Sequence, residues 1–327
     1  MLFPGFIRKI YNPPEFQGNL KKRNYFEGWY LKHISNDLIH SISFIPGISL
    51  SKDSHSFIQV LNGLTGESFY IRYDLKDFSY EPGKFAIRIG ESFFSDQFSV
   101  INIISEGIKA SGKIEYNNIL PYPVKLINPG IMGWYSFVPF MECKHGVVSM
   151  SHQLSGGIKM SGQYIDFSGG KGYIEKDWGT SFPETWIWVQ CNHFDSEDVS
   201  FMLSVAKIPW TGKYFIGFLG FLQTRDKFYR FATYNRSRII HLEKTGNKLE
   251  IIIGNKSITL HANIRINQFS GLKAPRLGVM DRYMKESVDS DLEIILKNQK
   301  GIIVRNLEGK RAGLEITGDI DTLKEVI

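Results

Sequence analysis

Short apolar segments separated by turn residues recur along almost the whole chain, and this rhythm is the strongest constraint on its fold. Segments such as HSFIQVLNG and FSVINIIS are too short for helices and are rich in β-branched and aromatic residues, which favour strands. Turn residues follow at a spacing of about 8–12 residues, which is typical of sandwiches and barrels. The sequence therefore predicts an all-β fold of antiparallel strands.

The strand pattern occurs twice, on either side of a turn-rich segment at residues 155–172. A chain of 327 residues commonly forms two domains or one large β domain. We therefore predict a first domain over residues 1–168 and a second domain over residues 169–327.

Two segments depart from the strand pattern. Residues 1–24 contain three prolines, which lack a backbone donor, so this segment is predicted to form an irregular arm. In residues 273–290, Met280 and Met284 are four positions apart, and a charged pair has the same spacing. This spacing matches one or two turns of helix, so we expect few and short helices.

The net charge of the chain is +6, but its basic residues are dispersed. The densest cluster is Lys21–Arg23, whereas nucleic-acid binding needs a concentrated set of cations to neutralise phosphates. We therefore expect no nucleic-acid partner. Loose peripheral contact with an anionic membrane surface fits a basic protein with an apolar ligand better.

The two cysteines, Cys143 and Cys191, lie in no CxxC or zinc-binding pattern, which favours a reducing cytoplasm. No signal peptide is recognisable, and no apolar run approaches the length of a membrane span, about 20 residues. We expect a cytoplasmic protein that can associate with membranes. The sequence does not predict its oligomeric state.

Familiar catalytic patterns are missing from the sequence. The eight histidines include no HxH or HExxH pair, so no metal site is predicted. The chain also lacks a GxSxG elbow and a dinucleotide-binding fingerprint. Carboxylates and tyrosines among aromatic residues remain, and they suit either proton donation in an apolar pocket or plain ligand binding.

The stretch Gly170–Asn192 holds the clearest candidate residues. Read as a strand, its first part places Tyr173, Glu175 and Asp177 on one face, because side chains alternate with a period of two. The opposite face carries Trp178 beside an isoleucine and a lysine. Such a pattern suits a site, and it is equally typical of a solvated strand face with a salt bridge.

After a Gly/Pro break, the second part of this stretch places Trp186, Trp188, Gln190 and Asn192 on one face. Wide aromatic rings with neutral polar groups are typical of a cavity wall for a bulky ligand with a polar end. The opposite face is apolar enough to pack in a core. Trp-rich strands also serve as plain core elements, so both interpretations stay open.

Glu27 is a second candidate acid, because it lies between Tyr25 and Trp29 on one face of a predicted strand. A carboxyl group buried between two aromatic rings has a raised pKa, which suits a proton donor. The alternative is an exposed residue on an edge strand.

Five motifs, taken in chain order, resemble the tocopherol cyclase family. They are Tyr-Phe-Glu-Gly-Trp-Tyr at 25–30, Phe-Val-Pro-Phe-Met-Glu-Cys at 137–143, His-Gly-Val-Val-Ser-Met at 145–150, Tyr-Ile-Glu-Lys-Asp-Trp-Gly at 173–179 and Ser-Phe-Pro-x-x-Trp-x-Trp-Val-Gln-Cys-Asn at 181–192. The resemblance spans nearly the whole chain, and the long central motif is specific.

The resemblance implies an all-β fold of two antiparallel lipocalin-like β-barrels with few short helices and an apolar cavity. Plant members of the family close the chromanol ring of vitamin E: a prenyl double bond takes a proton, and a phenol oxygen attacks the tertiary cation. The resemblance thus implies an isomerase that needs no cofactor and closes a chroman-type ring on a small apolar molecule, a prenylquinol or other isoprenoid. A non-catalytic lipid or isoprenoid binder on the same scaffold is the alternative.

The resemblance also implies roles for individual residues. Glu175 matches the family's Glu in the central motif and is expected to donate the proton, with Glu27 as its rival. Asp177 stands where plant members have Asn, so a second carboxylate could raise one pKa or hold a different head group. The residues expected to bind the substrate are Trp29, Tyr30, Tyr135, Trp178, Trp186, Trp188, Gln190 and Asn192.

Overall fold

The computed structural model describes residues 4–324, with side chains from residue 7 onward. Within this range the chain forms two compact units. The first unit extends to Phe182 and also includes Leu272–Tyr283, and the second comprises Pro183–Gly271 and the chain from Met284 onward. The prediction of an all-β fold with two antiparallel lipocalin-like β-barrels and few short helices is confirmed.

The first sheet has twelve strands. They are β1 (Tyr25–Ile34), β2 (Ser41–Leu50), β3 (His55–Asn62), β4 (Ser68–Asp74), β5 (Phe78–Tyr80), β6 (Ala86–Ile89), β7 (Ser92–Ser95), β8 (Phe98–Ser105), β9 (Ile108–Leu120), β10 (Cys143–Met160), β11 (Gln163–Asp166) and β12 (Lys171–Gly179). Their order is β4-β3-β2-β1-β12-β10-β9-β8-β7-β6-β5, and β11 pairs with β10.

Alternating burial explains why these segments are strands. Along β9, Ile108, Ala110, Ile114 and Tyr116 are buried in the core of the first unit, and most residues between them are exposed. A strand with a period of two buries one face and leaves the other in water. The central strands β1 and β3 are buried along almost their whole length, which means that both of their faces are covered.

Strand β12 comes last in the sequence of this sheet but lies in its middle, antiparallel to both β1 and β10. The predicted domain boundary between residues 168 and 169 is therefore corrected: Lys171–Gly179 completes the first sheet instead of opening the second. Alternation reveals the two faces of a strand, but it does not reveal the partners of that strand.

The second sheet has ten strands. They are β13 (Trp186–Cys191), β14 (Ser200–Trp210), β15 (Lys213–Gln223), β16 (Phe228–Ala232), β17 (Arg238–Thr245), β18 (Lys248–Gly254), β19 (Ile258–Arg265), β20 (Ser270–Arg276), β21 (Val279–Asn298) and β22 (Ile303–Thr317). Their order is β16-β15-β14-β13-β22-β21-β19-β18-β17, and β20 pairs with β21.

The helical turns expected in residues 273–290 are wrong, because β20 and β21 cover most of this segment. A spacing of four is also two strand periods, so Met280 and Met284 are both buried on one face of β21. Part of the segment returns to the first unit, where the side chain of Gln59 exchanges two hydrogen bonds with the main chain of Lys273.

Helices are few and short in the described part of the chain. Helix α1 (Pro4–Ile10) replaces part of the irregular arm predicted for residues 1–24, and Pro4 takes its first position, where a missing N–H costs nothing. Single 3-10 turns follow at Leu75–Asp77, Gly133–Phe137, Thr233–Asn235 and Ile320–Lys324. Among residues 4–324, no helix is long and apolar enough to cross a membrane.

Gly179 ends β12 in a conformation that glycine adopts far more readily than other residues. Its φ is +152°, and a Cβ atom there would lie 2.0 Å from the carbonyl oxygen of Glu142. We expect Gly179→Ala to lower the free energy of unfolding by at least about 2 kcal/mol, because backbone strain and a steric clash add. Urea unfolding measures this, with Gly271→Ala as control, since a Cβ at Gly271 meets no described atom within 4 Å. Equally small effects of both substitutions would contradict the prediction.

Candidate active site

The centre of the first sheet positions the candidate acids. Strand β12 lies between β1 and β10, and its register pairs Glu175 with Tyr30 on one side and Asp177 with His145 on the other. Residues directly opposite each other in neighbouring strands share a face. Tyr173, Glu175 and Asp177 thus lie on one face, as alternation predicts, and His145 joins them from β10.

Four residues form a connected group, which we call the acid cluster: His145, Tyr173, Glu175 and Asp177. Nδ1 of His145 lies 2.9 Å from Oδ1 of Asp177, and Nε2 lies 3.4 Å from Oε2 of Glu175. The Tyr173 hydroxyl donates a 2.6 Å hydrogen bond to the same Oε2. Glu175 is only 5% exposed, so these contacts are shielded from water.

The acid cluster holds a proton on or beside His145. Burial by itself lowers the pKa of His145, but the carboxylates of Asp177 and Glu175 outweigh it and raise that pKa well above 6.5. Burial, reinforced by the Glu175 carboxylate, also raises the pKa of Tyr173 well above 10, so its hydroxyl stays a donor. A buried group that retains a transferable proton at neutral pH is what general acid catalysis requires.

The contact between His145 and Glu175 is longer than an ordinary hydrogen bond. Within the described residues, Nε2 of His145 makes no hydrogen bond of normal geometry, and the carboxylate oxygen at 3.4 Å is its acidic neighbour. Catalytic hydrogen bonds are often long before substrate binds and shorten in the complex. The pair is therefore spaced for proton transfer after a small adjustment.

His145, Glu175 and Asp177 are also the described residues that could hold a metal ion. Each offers one ligand atom, and these atoms lie within 4.8 Å of one another. A metal would have to displace the proton that the two carboxylates hold on His145, since a ligating imidazole must be neutral. The sequence-based expectation that no metal is bound stays a prediction.

Glu27, the rival acid, is fully buried but has no free acceptor site for a substrate. Its carboxylate forms an ion pair with Nζ of Lys176 at 2.5 Å and accepts a 2.6 Å hydrogen bond from the Tyr25 hydroxyl. The backbone N–H groups of Gln17 and Gly18 donate to it at 2.7 and 2.9 Å. Four donors saturate an ionised carboxylate, so the contacts of Glu27 suit a structural role.

Lys176 lies on the face of β12 opposite the acid cluster. It is fully buried between the rings of Trp29 and Trp178, at 4.6 and 5.0 Å from their centroids, and burial lowers its pKa to about 8. Because Glu27 pairs with Lys176, the two candidate acids lie on opposite faces of the same sheet. Of the two, Glu175 alone belongs to the acid cluster.

The predicted substrate-binding residues of the first unit occupy different environments. Trp29 is fully buried, stacks on Phe85 with centroids 5.6 Å apart and donates to the carbonyl of Pro14. Tyr30 is buried opposite Glu175 and accepts a hydrogen bond from Ser43. The contacts of Trp29 are those of a core residue, whereas Tyr30 lies beside the acid cluster.

Trp178 lines a pocket of about 290 Å³ in the first unit, together with apolar residues such as Met132 and Met141. His145 also belongs to its lining. Tyr135 is outside this pocket wall, on the 3-10 turn Gly133–Phe137, where it stacks on the neighbouring Trp134.

The remaining predicted binding residues lie on β13 in the second unit and are all buried. They are Trp186, Trp188, Gln190 and Asn192. The alternating residues Ile187, Val189 and Cys191 enter the core of this unit, as expected for the opposite face. Trp186 donates from Nε1 to the Glu315 carboxylate at 2.7 Å. The binding role of the four residues stays a prediction.

His145 is the functional residue that sequence reasoning missed. It stands at the start of one of the five motifs, but its relation to Glu175 and Asp177 depends on the pairing of β10 with β12. Cross-strand register is a tertiary property, and no pattern within either strand reports it.

Comparison with known proteins identifies relatives in sequence and in fold. The family described as tocopherol cyclase-like matches residues 114–318. The probable chloroplastic tocopherol cyclase of Oryza sativa subsp. japonica is 39% identical over 75 residues, which are 23% of this chain and 16% of the rice protein. Among solved structures, a protein assigned as AttH from Nitrosomonas europaea has a TM-score of 0.54 at 11% identity and covers 90% of this chain and 92% of its own. CghA has a TM-score of 0.55 at 8% identity, with 90% and 88% covered, so both likenesses concern the fold alone.

Proposed function

The chain belongs to the tocopherol cyclase-like family, and from this premise we propose that it is an intramolecular cyclase acting on a prenylated or isoprenoid apolar substrate. A proton is added to a prenyl double bond, and a tertiary carbocation forms. The hydroxyl oxygen of the quinol head attacks this cation, loses its own proton and closes a chroman-type ring. Substrate and product are isomers, so the reaction consumes nothing.

The buried acid cluster is the observation that carries this proposal. Protonation of an alkene needs an acid that keeps its proton until the substrate is bound, and burial among partners supplies this condition. Glu175, shielded from water, would donate the proton and His145 would replace it across the 3.4 Å contact. The proton released by the hydroxyl would return to the cluster, where Asp177 holds the imidazole in place.

The carbocation needs aromatic faces and the exclusion of water. We propose that Trp178, Trp186 and Trp188 supply those faces, and that Gln190 and Asn192 bind the polar head of the substrate. Both cysteines are free thiols, in agreement with the proposed cytoplasmic location. Peripheral contact with a membrane would give the protein access to an apolar substrate.

Product analysis by mass spectrometry tests the proposal. The purified protein is incubated with a panel of prenylated quinols, and we expect an isomer of unchanged mass and shifted retention. A product that is one water heavier would replace the cyclase assignment with a hydratase. A substrate that stays unchanged but copurifies with the protein would replace it with a non-catalytic lipid or isoprenoid binder on the same scaffold.

A further inference from the structure

Three lysines from different parts of the chain meet in the pocket of the first unit. Lys9 lies on α1, Lys22 follows in the N-terminal segment and Lys144 lies on β10. All three are partly buried. Within the described residues, the lining of the pocket contains no Asp or Glu.

The contacts of these lysines leave their charges without a carboxylate partner. Nζ of Lys9 donates to the carbonyl oxygens of Phe16 and Gln17, at 2.8 and 3.1 Å, and Nζ of Lys144 donates to a backbone carbonyl at 3.0 Å. Nζ of Lys22 lies 4.0 Å above the ring of Tyr25. None of the three forms an ion pair with a described residue.

The three ammonium groups are close enough to repel one another. Burial, and next the neighbouring Lys22, lowers the pKa of Lys144. Burial also lowers the pKa of Lys22, and Lys9 adds to this effect while Glu27 opposes it. Partly buried like charges raise the free energy of a folded protein, and an anion among them removes that cost.

The rest of the wall is apolar. Ile10, Met132, Met141 and the ring of Trp178 surround the lysines, and the pocket of about 290 Å³ has room for a short hydrocarbon segment. A concave, mostly apolar site with a few converging charges is the usual form of a small-molecule site. The charge selects an anion, and the apolar wall selects the chain attached to it.

We propose that this pocket binds the anionic head group, carboxylate or phosphate, of an amphipathic molecule, with Lys9, Lys22 and Lys144 around the anion and the apolar wall around its chain. The site is additional to the acid cluster. It rests on no step of the proposed cyclisation, because an anion can bind here whether or not the protein catalyses ring closure.

Isothermal titration calorimetry with dodecanoate, dodecyl phosphate, dodecanol and inorganic phosphate tests the proposal. We expect at least one of the two amphipathic anions to bind at least tenfold more tightly than both dodecanol and inorganic phosphate, and the tighter of the two identifies the head group. The affinity should fall as salt rises, because ions screen the lysines. Equal affinity for dodecanoate, dodecyl phosphate and dodecanol would overturn the site, and so would binding of inorganic phosphate as tight as that of dodecyl phosphate.

Lys22→Met and Lys144→Met keep the apolar stem and remove the charge, so each should weaken binding of the preferred anion about tenfold. Both proteins should fold at least as stably as the parent, because each substitution removes a like-charge repulsion. Lys21→Met is the matched control, since Lys21 is exposed and outside the pocket wall. Unchanged affinity in both pocket variants would overturn the proposal. Glu175→Gln should bind the anion normally, which separates this site from the proposed function.

Discussion

The Glu175→Gln protein should fold normally and lose at least about a hundredfold in the rate of isomer formation, since a positioned general acid contributes about 10²–10⁴. Glutamine has the shape of glutamate, and its amide oxygen can still accept the hydrogen bond that the Tyr173 hydroxyl donates. It cannot take a proton from His145 and pass it on. The measurement is the initial rate of ring closure on the best substrate of the quinol panel.

Glu106→Gln is the matched control, because it makes the same chemical change at an exposed position. We expect its rate to equal that of the parent protein. If Glu175→Gln kept its rate within tenfold, Glu175 would not be the acid. If Glu106→Gln lost activity as well, the effect would reflect charge or folding instead of proton transfer.

The pH dependence of turnover follows from the raised pKa of His145. The cluster keeps its proton at neutral pH and loses it as the pH rises through that raised value, so turnover should be constant near pH 7 and fall at higher pH. The sign is the same for stability: the contribution of His145 is fully present below about pH 6.5 and is lost as the pH rises through its folded-state pKa. A rate that increases with pH would contradict the role of the cluster as an acid.

Lys176→Met should lower the free energy of unfolding by about 3–5 kcal/mol, because it removes one partner of a buried ion pair. Lys176 and Glu27 are both 0% exposed, so the substitution leaves a buried carboxylate without its cation. Urea unfolding measures the loss. The control is Lys113→Met, which breaks an exposed pair with Glu115 and should cost less than about 1 kcal/mol.

A second substitution separates the charge from the packing. Adding Glu27→Gln to Lys176→Met removes the uncompensated charge, so the double variant should recover part of the lost stability. A loss below about 1 kcal/mol in Lys176→Met would show that the pair is not structural. A stably folded Glu27→Gln protein without turnover would restore Glu27 as the rival acid.

The fold class was predictable because it depends on local patterns. Burial with a period of two along segments such as β9 follows directly from the order of apolar and polar residues. The division into units was not predictable, since β12 joins the first sheet through hydrogen bonds to β1 and β10. The expected helical turns at Met280 and Met284 failed because a spacing of four fits both a helix and a strand.

The same distinction applies to the candidate site. Each strand's own alternation placed Glu175 and Asp177 together, and Glu27 between its aromatic neighbours. It could not show that Glu27 and Glu175 occupy opposite sides of one sheet, or that His145 meets both cluster carboxylates. These facts depend on which residues pair across strands, and a strand contains no local signal for that pairing.

The neighbouring residues Glu175 and Lys176 also make the alignment of β12 self-checking. A slip of one position would turn every side chain of the strand to the other side. Glu175 would then meet Glu27 in the core, and Lys176 would meet the protonated His145, so like charges would face each other on both sides. The charges that serve chemistry on one side and packing on the other therefore also penalise misalignment of the strand, and they do so before any substrate is present.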